Sequence, residues 1–332
     1  MNAWPATLTD TQANYVLTVD IPFGGGIGSI QPGGLARLGN FDGAGPDDLG
    51  VSLIFSNSSD GALLIVKGSA TLASATIPNT NTIEIDGTEM DGLFGWPAVG
   101  IGAAFAAPAG PAVMTASLPA NIYAFRGQSP AAVITAAAAD DSVIGSAADA
   151  YGLVLGFLGP LGGSPAAVTI GGPFGTPAYV DVHLGTAATG PFQGVMGGAP
   201  AAAVRLTDSL SGNSFGLLSL GGGLKGTSQA YSVIGGDSSS DLVVAGHGEL
   251  GSPVYIVNGR VIPTLAGTLD VAAVQNRSGL VPSVVKATGV IPASWGGYAG
   301  STIIPDSDND GYPDFAVGEF APARPGRVVV FH

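Results

Sequence analysis

The chain has no cysteine among its 332 residues, which excludes disulfides, cysteine-ligated zinc and thiol catalysis. Charge is scarce as well: Asp, Glu, Lys and Arg make up 10% of the sequence, against roughly 25% in an average soluble domain. Basic residues are the rarest part, with 10 Lys and Arg against 24 Asp and Glu and a net charge of −14. Phosphate backbones and anionic membranes call for clustered Lys and Arg, so nucleic acid and an anionic membrane surface are poor partners. Long helices are excluded by composition. There are 54 Gly and 24 Pro, and each interior Gly costs a helix about 1 kcal/mol and each Pro about 3. Hydrophobic residues still reach 46%, enough to build a core and to exclude a disordered chain. Many short strands joined by turns is the class that remains.

Two stretches carry no Asp, Glu, Lys or Arg at all, 92–125 and 150–180. Their hydropathy invites a membrane reading, but the first holds Pro97, Pro108, Pro111 and Pro119, and the second Pro160, Pro165, Pro173 and Pro177. Prolines at that density, among many glycines, break spanning helices. The expectation is buried strands separated by turns and no membrane span. Met1-Asn2-Ala3-Trp4-Pro5 has neither a basic n-region nor an apolar h-region, so no signal peptide is read there.

A pair of short apolar runs recurs along the chain. The first members are Asp48–Val51, Ala112–Thr115, Gly152–Leu155, Gln193–Met196, Asp241–Val244 and Asp314–Val317, with partners beginning at Leu63, Ile122, Ala167, Ala203, Val254 and Val328. The offsets are those of hairpins. A third strand is expected ahead of several pairs, since Ser142-Val143-Ile144-Gly145 and Ser232-Val233-Ile234-Gly235 are identical and Ser301-Thr302-Ile303-Ile304 is close to both. Units of three or four strands about every 40 to 50 residues are the pattern of a β-propeller. The expected fold is therefore all-β, one propeller domain over 1–332 with its blades in 35–332. Six blades are counted, and a seventh within 260–295 is left open. The last unit lacks an outer strand, so the strand-like run Asn14–Val19, in the N-terminal segment 1–20, is expected to pair with it and close the ring.

Chemistry concentrates at Asp306-Ser307-Asp308-Asn309-Asp310-Gly311-Tyr312-Pro313-Asp314. Acidic side chains at positions 1, 3, 5 and 9 wrap hard oxygens around one centre, and Gly311 permits the sharp turn, a donor set suited to Ca²⁺. The expected ligands are Asp306, Asp308, Asp310 and Asp314, with the Tyr312 carbonyl. A solvated acidic turn is the bland alternative. An EF-hand is excluded because Val317 stands where its Glu belongs.

With its apolar strands, this loop resembles the FG-GAP repeats of integrin-α-type β-propellers. The resemblance rests on 40–68, ending Ala62-Leu63-Leu64-Ile65-Val66-Lys67-Gly68, on 241–259 with Val254-Tyr255-Ile256-Val257, and on 306–331. It implies a propeller, loop-bound calcium and an adhesive or binding role outside the cell. In the first unit Asn40, Asp42 and Asp48 fall on ligand positions and Pro46 offers a carbonyl, but Ala44 stands where an acid or amide is expected. The middle units lack the acidic set.

Catalytic signals are weak. Gly212-Asn213-Ser214-Phe215-Gly216 and Gly221-Gly222-Gly223-Leu224-Lys225-Gly226 match nucleophile-elbow and dinucleotide patterns, which a chain this rich in Gly produces by chance. His183, His247 and His332 form no zinc motif. Trp4, Trp96 and Trp295 are too few for a repeated aromatic sugar pocket. The expected function is non-enzymatic: a calcium-stabilised module that binds a protein or a surface glycan, located outside the cell or on the surface of a particle. The alternatives are a structural component that assembles into a virion or surface appendage and, third, a carboxylate-dependent polysaccharide hydrolase.

Overall fold

The structure, a computed structural model, describes residues 16–19, 35–53, 60–69, 74–88, 93–105, 110–117, 120–127, 133–194, 196–199, 201–209, 215–221, 239–246, 254–274, 284–287, 301–304, 306–308, 314–321 and 324–331. These residues are mostly β-sheet. Strands β1 (Leu17–Val19), β2 (Leu35–Gly39), β3 (Asp48–Leu53), β4 (Ala62–Val66), β5 (Ala75–Ile77) and β6 (Thr82–Asp86) come first. β2, β3, β4 and β6 form an antiparallel sheet in chain order.

The next strands are β7 (Ala98–Gly100), β8 (Gly110–Ser117), β9 (Asn121–Gly127), β10 (Val133–Thr135) and β11 (Asp141–Ile144). Four of them, β7, β8, β9 and β11, make a second up-and-down sheet, while β10 runs parallel to β6 and widens the first. The third sheet is β12 (Val154–Leu161), β13 (Ser164–Gly172), β14 (Tyr179–Leu184) and β15 (Val204–Thr207). Gly162 and Gly163 turn β12 into β13 with φ of +56° and +89°, the left-handed pair that a two-residue hairpin requires.

A fourth sheet joins β16 (Phe215–Gly221), β17 (Leu242–Gly246) and β18 (Val254–Val257). β19 (Gly267–Asp270), followed by the single turn α1 (Val271–Val274), returns to lie parallel to β15, and β20 (Val284–Ala287) completes the fourth sheet beside β18. The fifth sheet is β21 (Ser301–Ile304), β22 (Asp314–Ala321) and β23 (Arg324–Phe331).

Alternation along each strand feeds two cores. In β4, Leu63 and Ile65 join Phe94, Val113 and Phe125 between the first and second sheets, while Ala62, Leu64 and Val66 face the other way, toward Leu17 and Ile77. In β9, Phe125 belongs to that first interface, and Ile122 and Ala124 belong to the next, with Val168 and Ile170 of β13. In β14, Tyr179 lies on the second-sheet side, and Val180 and Val182 pack with Leu242, Val244 and Tyr255 of the fourth sheet. Both faces of a middle sheet are therefore dry. That accounts for the lack of charge in β8 and β13: in a strand buried on both sides, neither set of alternating side chains reaches water. First strands also pack in succession, β2 on β7, β7 on β12, β12 on β16 and β16 on β21.

Several expectations change. Gln193, Gly194 and Met196 lie in turns, not in a strand, so the units beginning at Gly152 and Gln193 share the third sheet and the described residues form five such sheets, not six. The reason is the backbone: Gln193, Gly194 and Gly197 have φ of +61°, +75° and +72°, outside the extended region. Within 260–295, where the sequence leaves a seventh unit open, the described strands β19 and β20 are outer strands of two different sheets. The N-terminal strand β1 pairs in parallel with β5, Leu17 opposite Ala75, and not with β23. Likewise Ser142–Ile144 falls in β11, which closes the second sheet against β9 and does not open the third, whereas Ser301–Ile304 precedes its pair as expected. Residues 232–235 lie outside the described residues.

Candidate metal centre

The loop between β21 and β22 brings Asp306, Asp308 and Asp314 together. Each offers a carboxylate oxygen, and these oxygens all lie within 4.8 Å of one another. Among the described residues this is the one group of three or more acidic or histidine side chains so placed. Asp314 opens β22 and is buried; its Oδ2 accepts the Ser307 N–H at 2.7 Å and the Ser307 hydroxyl at 2.5 Å. The loop is thus folded back on its own final carboxylate. Oxygens so close together could hold a metal ion. Asp310 and Tyr312, the other two expected ligands, lie outside the described residues.

The first unit repeats the scaffold with a poorer donor set. Asp48 opens β3, is buried, and accepts N–H groups from Asp42 at 3.1 Å and Gly68 at 2.6 Å. Burial pushes its carboxyl above the ordinary range, against the opposing pull of those N–H groups. Asp42 Oδ1 accepts the Ala44 N–H at 2.8 Å, and Asn40 donates its amide to the Gly45 carbonyl at 3.0 Å. The Pro46 carbonyl lies against Gly68. Asn40 Oδ1 is buried with no hydrogen-bond partner, the single orphaned acceptor in this loop. Of the four expected donors, the Asp42 and Asp48 carboxylates are thus engaged in holding the turn. Ala44, in the central position, offers the loop no side-chain oxygen.

A shared latch explains why these loops look alike. Asp241, fully buried just ahead of β17, accepts the Gly259 N–H at 2.8 Å, as Asp48 accepts that of Gly68. The carboxylate before the second strand holds the glycine that follows the third. The sequence signal is real, but in these two units it is first a hydrogen-bonding device.

A second acidic pair went unnoticed in the sequence. Glu84 and Asp86 alternate on one face of β6, and burial raises both carboxyls, with repulsion from Asp86 adding to Glu84 and repulsion from Asp60 adding to Asp86. A raised carboxyl favours the folded state fully below its unfolded pKa, and that contribution is lost as pH rises through the folded value. Glu84→Gln is therefore expected to stabilise the protein by about 0.5 to 1 kcal/mol at pH 8, the scale of a half-exposed charge interaction, and to have no effect near pH 3. Urea unfolding at the two pH values checks this; a destabilised variant at pH 8 would contradict the pairing.

The third sheet holds a polar network between itself and the second. Asp181 and Arg205 are opposed across β14 and β15 and form a two-point ion pair at 2.7 and 2.8 Å. The guanidinium lies 3.6 Å above the Tyr179 ring, whose hydroxyl donates to Asp149 at 3.0 Å. Tyr151 places its hydroxyl 3.0 Å from His183 Nε2, and burial pushes that phenol well above its ordinary value. His183 is 2% exposed, and burial lowers its pKa to about 4. His247 and His332 lie outside the described residues, as do Gly212 to Ser214. No protein-family model matches this chain, and no curated protein matches it. Among the described residues, no helix is long and apolar enough to cross a membrane.

Proposed function

We propose that the chain is a β-propeller of the FG-GAP kind, stabilised by calcium, that serves as a non-enzymatic binding module for a protein or a surface glycan outside the cell or on a particle. Up-and-down sheets packed face to face, with their first strands in succession, support the propeller. The observation that carries the reading is the convergence of Asp306, Asp308 and Asp314 at the entrance to β22, where oxygen donors suit Ca²⁺ and the loop is already turned by Asp314. Asp306, Asp308, Asp310, Asp314 and the Tyr312 carbonyl would hold the ion, which supplies charge neutralisation and loop order. A rigid ring carrying variable loops is a platform for recognition, and loops are where binding concentrates.

The test is a glycan array and a pull-down from the native source, each run with the full chain in 2 mM-scale calcium and again in chelator. Calcium-dependent retention of a defined glycan or protein supports the module. Turnover of a polysaccharide under the same conditions would replace it with the hydrolase reading.

A further inference from the structure

The loop joining β14 to β15 straps the third sheet to the second. Gly197 donates its N–H to the Ser142 carbonyl at 3.0 Å, and Ile144 donates to the Gly198 carbonyl at 3.0 Å, so the loop runs along β11. Phe192 anchors it from within. Its N–H is held by Asp141 Oδ2 at 2.7 Å, and its ring stands edge-on to His183 with centroids 5.6 Å apart. The strap carries apolar Met196, 56% exposed, and its Gly197 lies near Ile144, 48% exposed. Its φ values at Gln193 and Met196, +61° and +21°, are ones that L side chains rarely adopt, so packing inside must hold the conformation.

What lies inside is a histidine placed where a charge cannot be hydrated. Its one hydrogen bond among the described residues is to the Tyr151 hydroxyl, itself fully buried. The charged and titratable groups around it are Asp181 two residues away on β14, Arg205 on β15, Tyr151 and Asp149 before β12, Tyr179 on β14, and Asp141 on β11 beyond Phe192. Asp181 is the one carboxylate near enough to favour an imidazolium, and Arg205 already neutralises it with both nitrogens. We propose that His183 is the trigger of an acid-opened joint: protonating it destabilises the Phe192 anchor, releases the strap between β14 and β15 from β11, and exposes the buried Phe192 beside the already exposed Ile144 and Met196.

The sign follows from burial. A histidine whose pKa is lowered in the folded state contributes stability above its unfolded pKa of 6.5 and loses it as pH falls toward about 4. Opening that releases His183 to its ordinary value is favoured about twentyfold more at pH 5 than at pH 7. The joint is independent of the metal reading, since its residues lie in the second and third sheets.

Hydrogen exchange of the full chain at pH 7 and pH 5, expressed as protection factors, reads the opening directly. Protection over 141–145 and 186–198 is expected to fall about twentyfold in the native protein and to stay level in His183→Gln, which keeps a partner for Tyr151 but cannot titrate. Unchanged protection in the native protein, or an equal fall in the variant, overturns the proposal. Imidazole NMR of the native chain gives a second readout that does not depend on the variant folding, because there are only 3 histidines. A His183 resonance titrating far below 6.5 is expected, and its titration near 6.5 overturns the proposal.

Discussion

Replacing Gly259 with alanine is expected to destabilise the protein by about 3 to 5 kcal/mol. A Cβ at this position would stand 2.0 Å from the Ser240 carbonyl oxygen and 2.7 Å from its carbon, both backbone atoms of a fully buried residue. No rotamer change relieves such a contact, so the chain after β18 must move off β17. That movement also breaks the 2.8 Å bond from the Gly259 N–H to the buried Asp241 carboxylate, leaving a desolvated charge without this donor. Gly68 repeats the arrangement, with a Cβ 2.4 Å from the Asp47 oxygen and 2.5 Å from that of Pro46, and Gly68→Ala is expected to fall in the same range. Gly163→Ala is the comparison: nothing lies within 4 Å, and only its φ of +89° is strained, which costs about 1 to 2 kcal/mol. Urea midpoints at constant m separate the two classes. Equal losses at Gly259 and Gly163 would mean that the latch is not tight.

Withdrawing calcium is expected to lower stability by about 2.7 kcal/mol when the ion had been present at a hundred times its Kd. The carboxylates of Asp306, Asp308 and Asp314 place oxygens within 4.8 Å of one another, so a bound cation would offset their mutual repulsion. The loop joins β21 to β22, and its loosening weakens the last sheet. Asp306→Ala combined with Asp308→Ala should abolish the calcium response while leaving the Ser307 bonds to Asp314 in place. Magnesium should substitute poorly, because it demands near-ideal octahedral geometry and gives up water reluctantly. A calorimetric titration of chelated protein that shows no heat of calcium binding, or unchanged binding in the double variant, removes the assignment.

Much of this was legible in the amino-acid order because it is local. Alternating apolar residues without charge mark strands buried on both faces, as in Ala62 to Val66 and Ala112 to Ala116. Acids two residues apart ahead of a strand turn the chain toward a common centre, and Asp306, Asp308 and Asp314 meet there. Even the polar face of β14 was visible as Tyr179, Asp181 and His183 alternating with Val180 and Val182. Its meaning was not, since Tyr151 and Arg205 arrive from separate strands and turns through pairing register.

Membership of sheets was decided by tertiary structure alone. Ser142 to Ile144 has the sequence of an opening strand yet closes the sheet of β9, and Gln193 to Met196 looks like a strand yet turns, because Phe192 is held inside by Asp141 and the backbone around it must take positive φ. Leu269 and Val285 come from one connection and end on different sheets. A period-two pattern fixes which side chains share a face but not which neighbour supplies the next backbone edge. That choice is made by whichever edge offers unpaired N–H and C=O groups within reach, a property of the assembled sheets and not of any one segment.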